Sequence, residues 1–426
     1  MRILCPMRRL RDAAYLAAVT ATAPVWAWRM HRNGKLRTDW RARFGQGDRL
    51  PAAAGPRLLV HAVSVGEVNA MRALVARLSG SGLDVAVDAT TDTGFARARE
   101  VYGARHAVVR YPFDASWMVR RFLDRVRPSA VALAELEVWP NFVEECARRG
   151  IPVTVVNGRL SARSFRRYRR VRPVLASTFG RLEAVFAQNE EYAERFVDLG
   201  TPAGRVFVTG TMKWDTAEVA DEVPGADELA REMGIDRSRP LVVAGSTAPE
   251  EHAILRDAVP AGAQLLCAPR KPEWFDAAAR ELPGCARRSA GARGSPTGRF
   301  LLDTIGELRR AYALADVVVI GRSFGRLHGS DPMEPAALGK PIVCGPRMGD
   351  FLESFRALRD ARAIEAVEPA GLPGALDGLL RDDDRRAAAG RRARDTVRAN
   401  QGATERTAEA LLGLLQAPPR GRGAGA

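Results

Sequence analysis

Short apolar runs that stop abruptly at Gly, Ser or acidic residues alternate with longer stretches of helical periodicity along this chain, and the alternation occurs twice. In the first round, residues 58–63, 84–90, 107–111, 129–134, 152–157 and 184–187 read as strands. Helical stretches at 67–78, 116–126, 141–149, 162–179 and 190–199 separate them. The segment LLVHAVSVGEVNAMRALVARL is typical: an apolar run ends at Ser64-Val65-Gly66-Glu67, and Val68, Met71, Leu74, Val75 and Leu78 then recur at helical spacing. Strands joined through helices run parallel, and such a sheet is covered on both faces. After a polar stretch between Thr209 and Arg239, the runs PLVVAGS, AQLLCAPR, DVVVIGRS and KPIVCGP supply a second set of strands, with helices expected at 249–258, 272–280 and 305–315.

This pattern predicts two Rossmann-like α/β domains, at 55–210 and 240–416, joined by a linker at 211–239. With 426 residues, 46% of them hydrophobic, the chain has material for two cores. The formal charge of +15 suits polyanions or anionic membranes, but heavy Arg usage inflates it, so only the placement of charge is informative. Cys5, Cys146, Cys267, Cys285 and Cys344 are scattered, with no C-x-x-C pair or histidine cluster. That excludes a zinc site and a disulfide framework and fits a reducing compartment. Residues 13–28 are uncharged and flanked by Arg8, Arg9, Arg11, Arg29, Arg32, Lys35 and Arg37. A spanning helix needs about 20 apolar residues, and Pro24 is expected to interrupt this one, so 1–45 reads as a hydrophobic anchor with a basic flank. Trp26 and Trp28 suit the membrane interface, and the heavier positive charge on the C-terminal side would keep the body in the cytoplasm. The final 417–426, APPRGRGAGA, reads as a disordered tail.

Strand ends of a parallel sheet open toward its ligand crevice, so the residues there are the candidates for chemistry. Glu67 follows the first strand; a Glu in a first helical turn also has the ordinary role of complementing the dipole. Gly245-Ser246-Thr247 precedes a helix opening at Pro249, where backbone N–H groups can cradle a phosphate. Pro269-Arg270-Lys271 ends the next strand with two cations suited to phosphate or carboxylate. In GRSFGRLHGSDPMEPAALGKPIVCGP, residues 321–346, a glycine-rich loop leads to Glu334, whose carboxylate can accept hydrogen bonds from a ribose. Asp382-Asp383-Asp384 lies among Arg381, Arg385 and Arg386 and reads as a solvated face, so no metal is expected. The run RLSARSFRRYRRVRP, 159–173, carries seven arginines, a patch for anionic headgroups; nucleic acid is not expected, since no aromatic interleaving accompanies it.

Several motifs in order, HAVSVGEV, ELEVWPN, NGRLSARSFRRY, GTMKWD, AGSTAPEE, APRKPEWF and GELRRAYALADVVVIGRSF, resemble the 3-deoxy-D-manno-octulosonic acid (Kdo) transferases. The resemblance runs from the N-terminal segment to about Leu358. It implies a GT-B glycosyltransferase, two Rossmann-like domains facing a cleft, with acceptor binding in the first and nucleotide-sugar binding in the second. It further implies an inverting transfer of Kdo from CMP-Kdo to a lipid A precursor (lipid IVA) in lipopolysaccharide biosynthesis, at the cytoplasmic face of the inner membrane, with no cofactor. Under it Glu67 is the base; Ser64, Gly66, Glu135, Glu137 and Arg159 face the acceptor. Ser246, Thr247, Pro269, Arg270, Lys271, Ser323, Ser330, Asp331 and Glu334 belong to the donor side, and Lys213 of GTMKWD joins the site. The donor loop departs from the family pattern: Arg322 stands inside the G-G-S loop, His328-Gly329-Ser330-Asp331-Pro332-Met333-Glu334-Pro335 replaces G-G-H-N-P-L-E-P, and Lys271 replaces a His. Those changes leave two alternatives, another nucleotide-sugar donor or a catalytically silent membrane adaptor.

Overall fold

The computed structural model describes residues 4–32, 38–53 and 55–416. The described residues up to Thr216 and those from Gln401 onward form one compact unit, and Ala217–Asn400 form the other.

The first unit is built on seven parallel strands: β1 (Arg57–Ala62), β2 (Asp84–Ala89), β3 (Ala107–Arg110), β4 (Ala130–Ala134), β5 (Val153–Gly158), β6 (Ala184–Ala187) and β7 (Val206–Val208). They lie in the order β3-β2-β1-β4-β5-β6-β7. β1 pairs with β2 on one side and β4 on the other, so the strand order reverses between β1 and β4. All six residues of β1 are buried, which explains why it is apolar apart from Arg57 and His61. Val68, Met71, Leu74, Val75 and Leu78 cover one face together with Ala98 and Tyr102. Phe122, Phe142, Cys146, Phe179 and Phe196 cover the other.

The second unit repeats the plan with β8 (Leu241–Thr247), β9 (Gln264–Pro269), β10 (Ala286–Arg287), β11 (Arg299–Leu301), β12 (Val317–Ile320), β13 (Ile342–Cys344) and β14 (Ile364–Ala366). Its order is β10-β11-β9-β8-β12-β13-β14, reversing between β8 and β12. The short strands β7, β10, β11 and β14 carry too few residues to leave a periodic signal in the sequence.

The domain boundaries differ from the expected ones. The stretch 211–239 is no linker: residues to Thr216 stay with the first unit, and from Ala217 the chain enters the second, forming the helix Ala226–Met233 with Leu229 and Met233 buried. Nor does the second domain reach 416. The helix Ala403–Gln416 returns to the first unit, where Ala403, Ala408 and Leu411 join the core beside Leu74 and Leu78. Asp215 ties that return, its two carboxylate oxygens accepting the N–H groups of Gly402 and Thr404 at 2.6 Å each.

The N-terminal segment is one helix, Leu4–Arg32, which continues through Pro24 instead of breaking there. Among the described residues no helix is long and apolar enough to cross a membrane. This helix docks through polar contacts. Asp12 accepts the Ser116 N–H at 2.9 Å and hydroxyl at 2.5 Å, capping the helix Ser116–Val126, whose own preceding residue is Ala115. Residues 417–426, expected to be a disordered tail, and part of 1–45 lie outside the described residues.

Candidate active site

In the first unit, the chain leaves the carboxyl end of β1 in a capped turn. Ser64 is extended, and its hydroxyl accepts the Glu67 N–H at 3.3 Å and donates to Glu67 Oε1 at 2.8 Å. The other carboxylate oxygen accepts the Val63 N–H at 2.9 Å. Glu67 therefore does close the turn as a capping residue, the ordinary role weighed from sequence. It is nonetheless only half-buried, so its carboxylate is held in place and still reachable. Gly66 has a negative φ inside the helix Val65–Ala70 and open space around it, so the turn does not require a glycine.

Across the reversal, β4 ends at Ala134 and Glu135 adopts a left-handed φ of 55°. Strand alternation is broken there, so it cannot be what aims Glu135 and Glu137 alike. The two are brought together by the turn: both are half-buried and both feel the charge of Glu67. Burial pushes the Glu135 carboxyl above its ordinary range, Glu67 and Glu137 add to the rise, and Arg159 and Lys213 oppose it. Burial also raises Glu137, reinforced by Glu67 and opposed by His61 and by the Trp139 indole N–H, which donates to it at 2.9 Å. Asn157, left-handed at φ 53°, fixes the positive side by accepting the Met212 N–H at 3.1 Å, next to Lys213. Three carboxylates, a guanidinium and an ammonium thus gather at the switch point of this sheet, where open α/β sheets bind ligands.

The second unit is arranged differently from the expected phosphate cradle. Glu251, fully buried, takes the N–H groups that a phosphate would use. Its Oε2 accepts Ala248 N–H at 2.8 Å and Arg322 N–H at 2.7 Å; its Oε1 accepts Ser323 N–H at 2.8 Å and Phe324 N–H at 3.0 Å. One carboxylate therefore binds together the loops that follow β8 and β12. Thr247 and Ser323 also face inward. The Thr247 hydroxyl meets His252 Nε2 at 3.0 Å and Cys267 Sγ at 3.3 Å, and the Ser323 hydroxyl bridges the Ile320 carbonyl and the Gly345 N–H. Pro269 is buried in β9. Lys271 is exposed, paired with Glu273 at 3.5 Å and lying over the Trp274 ring.

What remains open at this sheet's reversal is a cluster around Tyr312. Burial raises the Tyr312 phenol, Glu334 and Asp331 add to the rise, and Arg270 opposes it, so all three act at this ring. Gly245 is required here because a Cβ would run into the Tyr312 hydroxyl. Glu334 opens the helix Met333–Ala337; burial raises its carboxyl, with Arg309 opposing and Asp331 reinforcing. Ser246 is left-handed at φ 56°, and the Ser330 hydroxyl donates to its carbonyl at 3.4 Å. Arg270→Ala is expected to weaken binding of cytidine monophosphate about 10- to 100-fold, the loss typical of a hydrogen bond to a charged group. Calorimetric titration checks it, and unchanged affinity removes Arg270 from the donor site.

Sequence reading missed His61, Glu251, Arg309 and Tyr312 as functional candidates. For Glu251 a signal existed: A-P-E-E after a strand is a capping pattern. Arg309 and Tyr312 stand one helical turn apart. His61 sits within an apolar run and left none.

The chain matches the family model "3-Deoxy-D-manno-octulosonic-acid transferase (kdotransferase)" over residues 38–216. A 3-deoxy-D-manno-octulosonic acid transferase of Bordetella pertussis is 35% identical over 428 residues, spanning 93% of this chain and 98% of that one. One from Haemophilus influenzae is 29% identical over 379 residues, 84% of this chain and 87% of that one. The crystal structure of a glycosyltransferase from Rickettsia africae superposes with a TM-score of 0.56 at 11% identity, covering 86% of this chain and 100% of that one, a likeness of fold alone. With two parallel α/β sheets of GT-B type and a relative matched over nearly its whole length, the chain belongs to the 3-deoxy-D-manno-octulosonic acid transferase family of glycosyltransferases.

Proposed function

We propose that this enzyme transfers Kdo from CMP-Kdo to a lipid A precursor, lipid IVA, with inversion. The observation that carries the reading is the Glu67 carboxylate, fixed at two points beside Glu135 and Glu137 at the reversal of the first sheet. Glu67 takes the proton of the acceptor hydroxyl. The resulting oxygen forms the bond to the anomeric carbon of Kdo while the bond to the CMP phosphate breaks, its electron pair leaving on the phosphate oxygen. Arg270 and the carboxylates Asp331 and Glu334 around Tyr312 hold the nucleotide, the cation on phosphate and a carboxylate on ribose. Ser64 orients the base, and Glu135, Glu137 and Arg159 contact the acceptor.

The enzyme works on the cytoplasmic face of an anionic inner membrane. Two surfaces of the first unit support this. The helix Leu4–Arg32 leaves Leu16, Val25 and Trp28 exposed. The helix Ala162–Arg170 has no buried residue, and beside it Val171 and Val174 are exposed. Helix Pro140–Arg148 touches both the N-terminal helix and the helix Arg172–Phe179, so the two surfaces belong to one side of the sheet. Arginines with neighbouring apolar side chains suit an interface of anionic headgroups.

The test is incubation of purified protein with CMP-Kdo, generated in place, and lipid IVA, with mass spectrometry of the lipid. A product heavier by Kdo residues is the expected result. The altered donor loop, with Arg322 and Asp331, favours as a second reading a different nucleotide sugar. No product, together with thermal protection by another nucleotide and none by CMP, would establish that reading instead.

A further inference from the structure

At β1, two residues before the turn that holds Glu67, lies a buried titratable pair that the transfer chemistry above does not use. His61 and Asp88 are direct neighbours in the register of β1 and β2, both wholly buried, with His61 Nδ1 against Asp88 Oδ1. The Tyr111 ring packs over the imidazole, centroids 4.1 Å apart. With Nδ1 committed to Asp88, Nε2 points from the opposite edge of the ring, and no group among the described residues bonds to it. A buried ring nitrogen without a partner is costly to keep in a core, and a purely structural site would be filled by an apolar residue.

The surroundings give this pair a use. His61 stands two residues before Val63, whose N–H grips Glu67. The charged and titratable groups acting on the ring are Asp88 from β2, Glu137 from the turn after β4 and Glu67 from the turn after β1. Tyr111, after β3, adds an aromatic face and is itself influenced by Asp114 and Cys146. Burial alone would pull the imidazole down, yet Asp88, Glu137 and Glu67 together lift it above its ordinary value. In return, His61 lowers Glu137 against burial, together with the Trp139 indole N–H. Arg159 and Lys213 oppose the rise of Glu135, and His61 opposes that of Glu137.

We propose that His61, held in place by Asp88, is a positioning residue of the acceptor half-site that keeps the Glu137 carboxylate an anion beside the base. The inference rests on Glu67 being the base. In a neutral variant Glu137 titrates at higher pH. Below that new value Glu137 carries a proton and its hold on the acceptor is lost; above it Glu137 is ionised again and the deficit fades.

His61→Asn keeps a donor toward Asp88 and removes the charge, and Asp88→Asn removes the anion that holds the proton on the ring with little change of shape. Both are to be assayed for kcat/KM across the acid limb. Each should move that limb to higher pH, with a deficit of about tenfold on the acid side, the equivalent of one pH unit, that shrinks as pH rises. A loss uniform in pH, or a limb that stays in place in Asp88→Asn, would overturn the proposal and leave the pair a structural one. Glu67→Gln separates the two readings. If it is inactive while Asp88→Asn titrates like the parent, the base stands and His61 does not; if it is fully active, the base assignment itself falls.

Discussion

Glu67→Gln is expected to lower kcat by about 10² to 10⁴, the usual contribution of a positioned general base, while leaving the affinity for cytidine monophosphate at the parent value. Glutamine is the informative replacement because Glu67 also works for the fold. Its carboxylate accepts the Val63 N–H and holds the Ser64 hydroxyl, and a glutamine at this helical position preserves a capping acceptor. What it removes is the basic carboxylate oxygen that takes the acceptor's proton. Glu67→Ala loses both, and the cap adds a stability cost of about 1 kcal/mol. Single-turnover rates for the two variants, beside their unfolding curves, separate chemistry from folding. If Glu67→Gln turns over like the parent, the residue is a cap and nothing more.

Glu251→Ala is expected to destabilise the second domain by at least about 4 kcal/mol, since four N–H groups lose this acceptor at about 1–3 kcal/mol each. The distribution of those bonds makes a sharper statement possible. Each carboxylate oxygen accepts two N–H groups, Ala248 and Arg322 on one, Ser323 and Phe324 on the other. Whichever way a glutamine amide is turned, its own N–H₂ faces two donors. Glu251→Gln should therefore be nearly as damaging as Glu251→Ala, contrary to the usual expectation for an isosteric change. Urea unfolding of both variants checks this, and a glutamine variant as stable as the parent would show that the loop can be held without a carboxylate. Because Glu251 joins the loops after β8 and β12, donor affinity should fall in parallel.

The fold was legible in the long buried strands. The run that became β1 and the helical spacing from Val68 to Leu78 define a parallel sheet element without further help, because burial on both faces makes most of the strand apolar, His61 being the exception within the run. Domain limits were not legible. Ala403, Ala408 and Leu411 form an ordinary amphipathic stripe, and nothing in a stripe says which sheet it covers. The candidate site divides in the same way. Glu67 was a candidate by its place after a strand and Glu135 and Glu137 through the resemblance, and the three lie within reach of one another's charge, whereas Thr247 and Ser323 at other strand ends bond inward. A hydroxyl at a strand end can turn either way at similar cost, so its direction depends on partners that sequence does not reveal. The capping pattern pointed to Glu251 but not to its bonds with the loop after β12, and His61 was hidden because its role is made between adjacent strands.

The bonds from Asp215 to Gly402 and Thr404 mean that the second domain is an insertion into the first. During translation the first unit must therefore wait, its sheet formed but one flank bare, until the whole intervening domain and the closing helix have left the ribosome. A premature stop after Asn400 would spare the inserted module and expose Leu74 and Leu78 on its host. Ala217–Asn400 alone begins and ends at a natural seam.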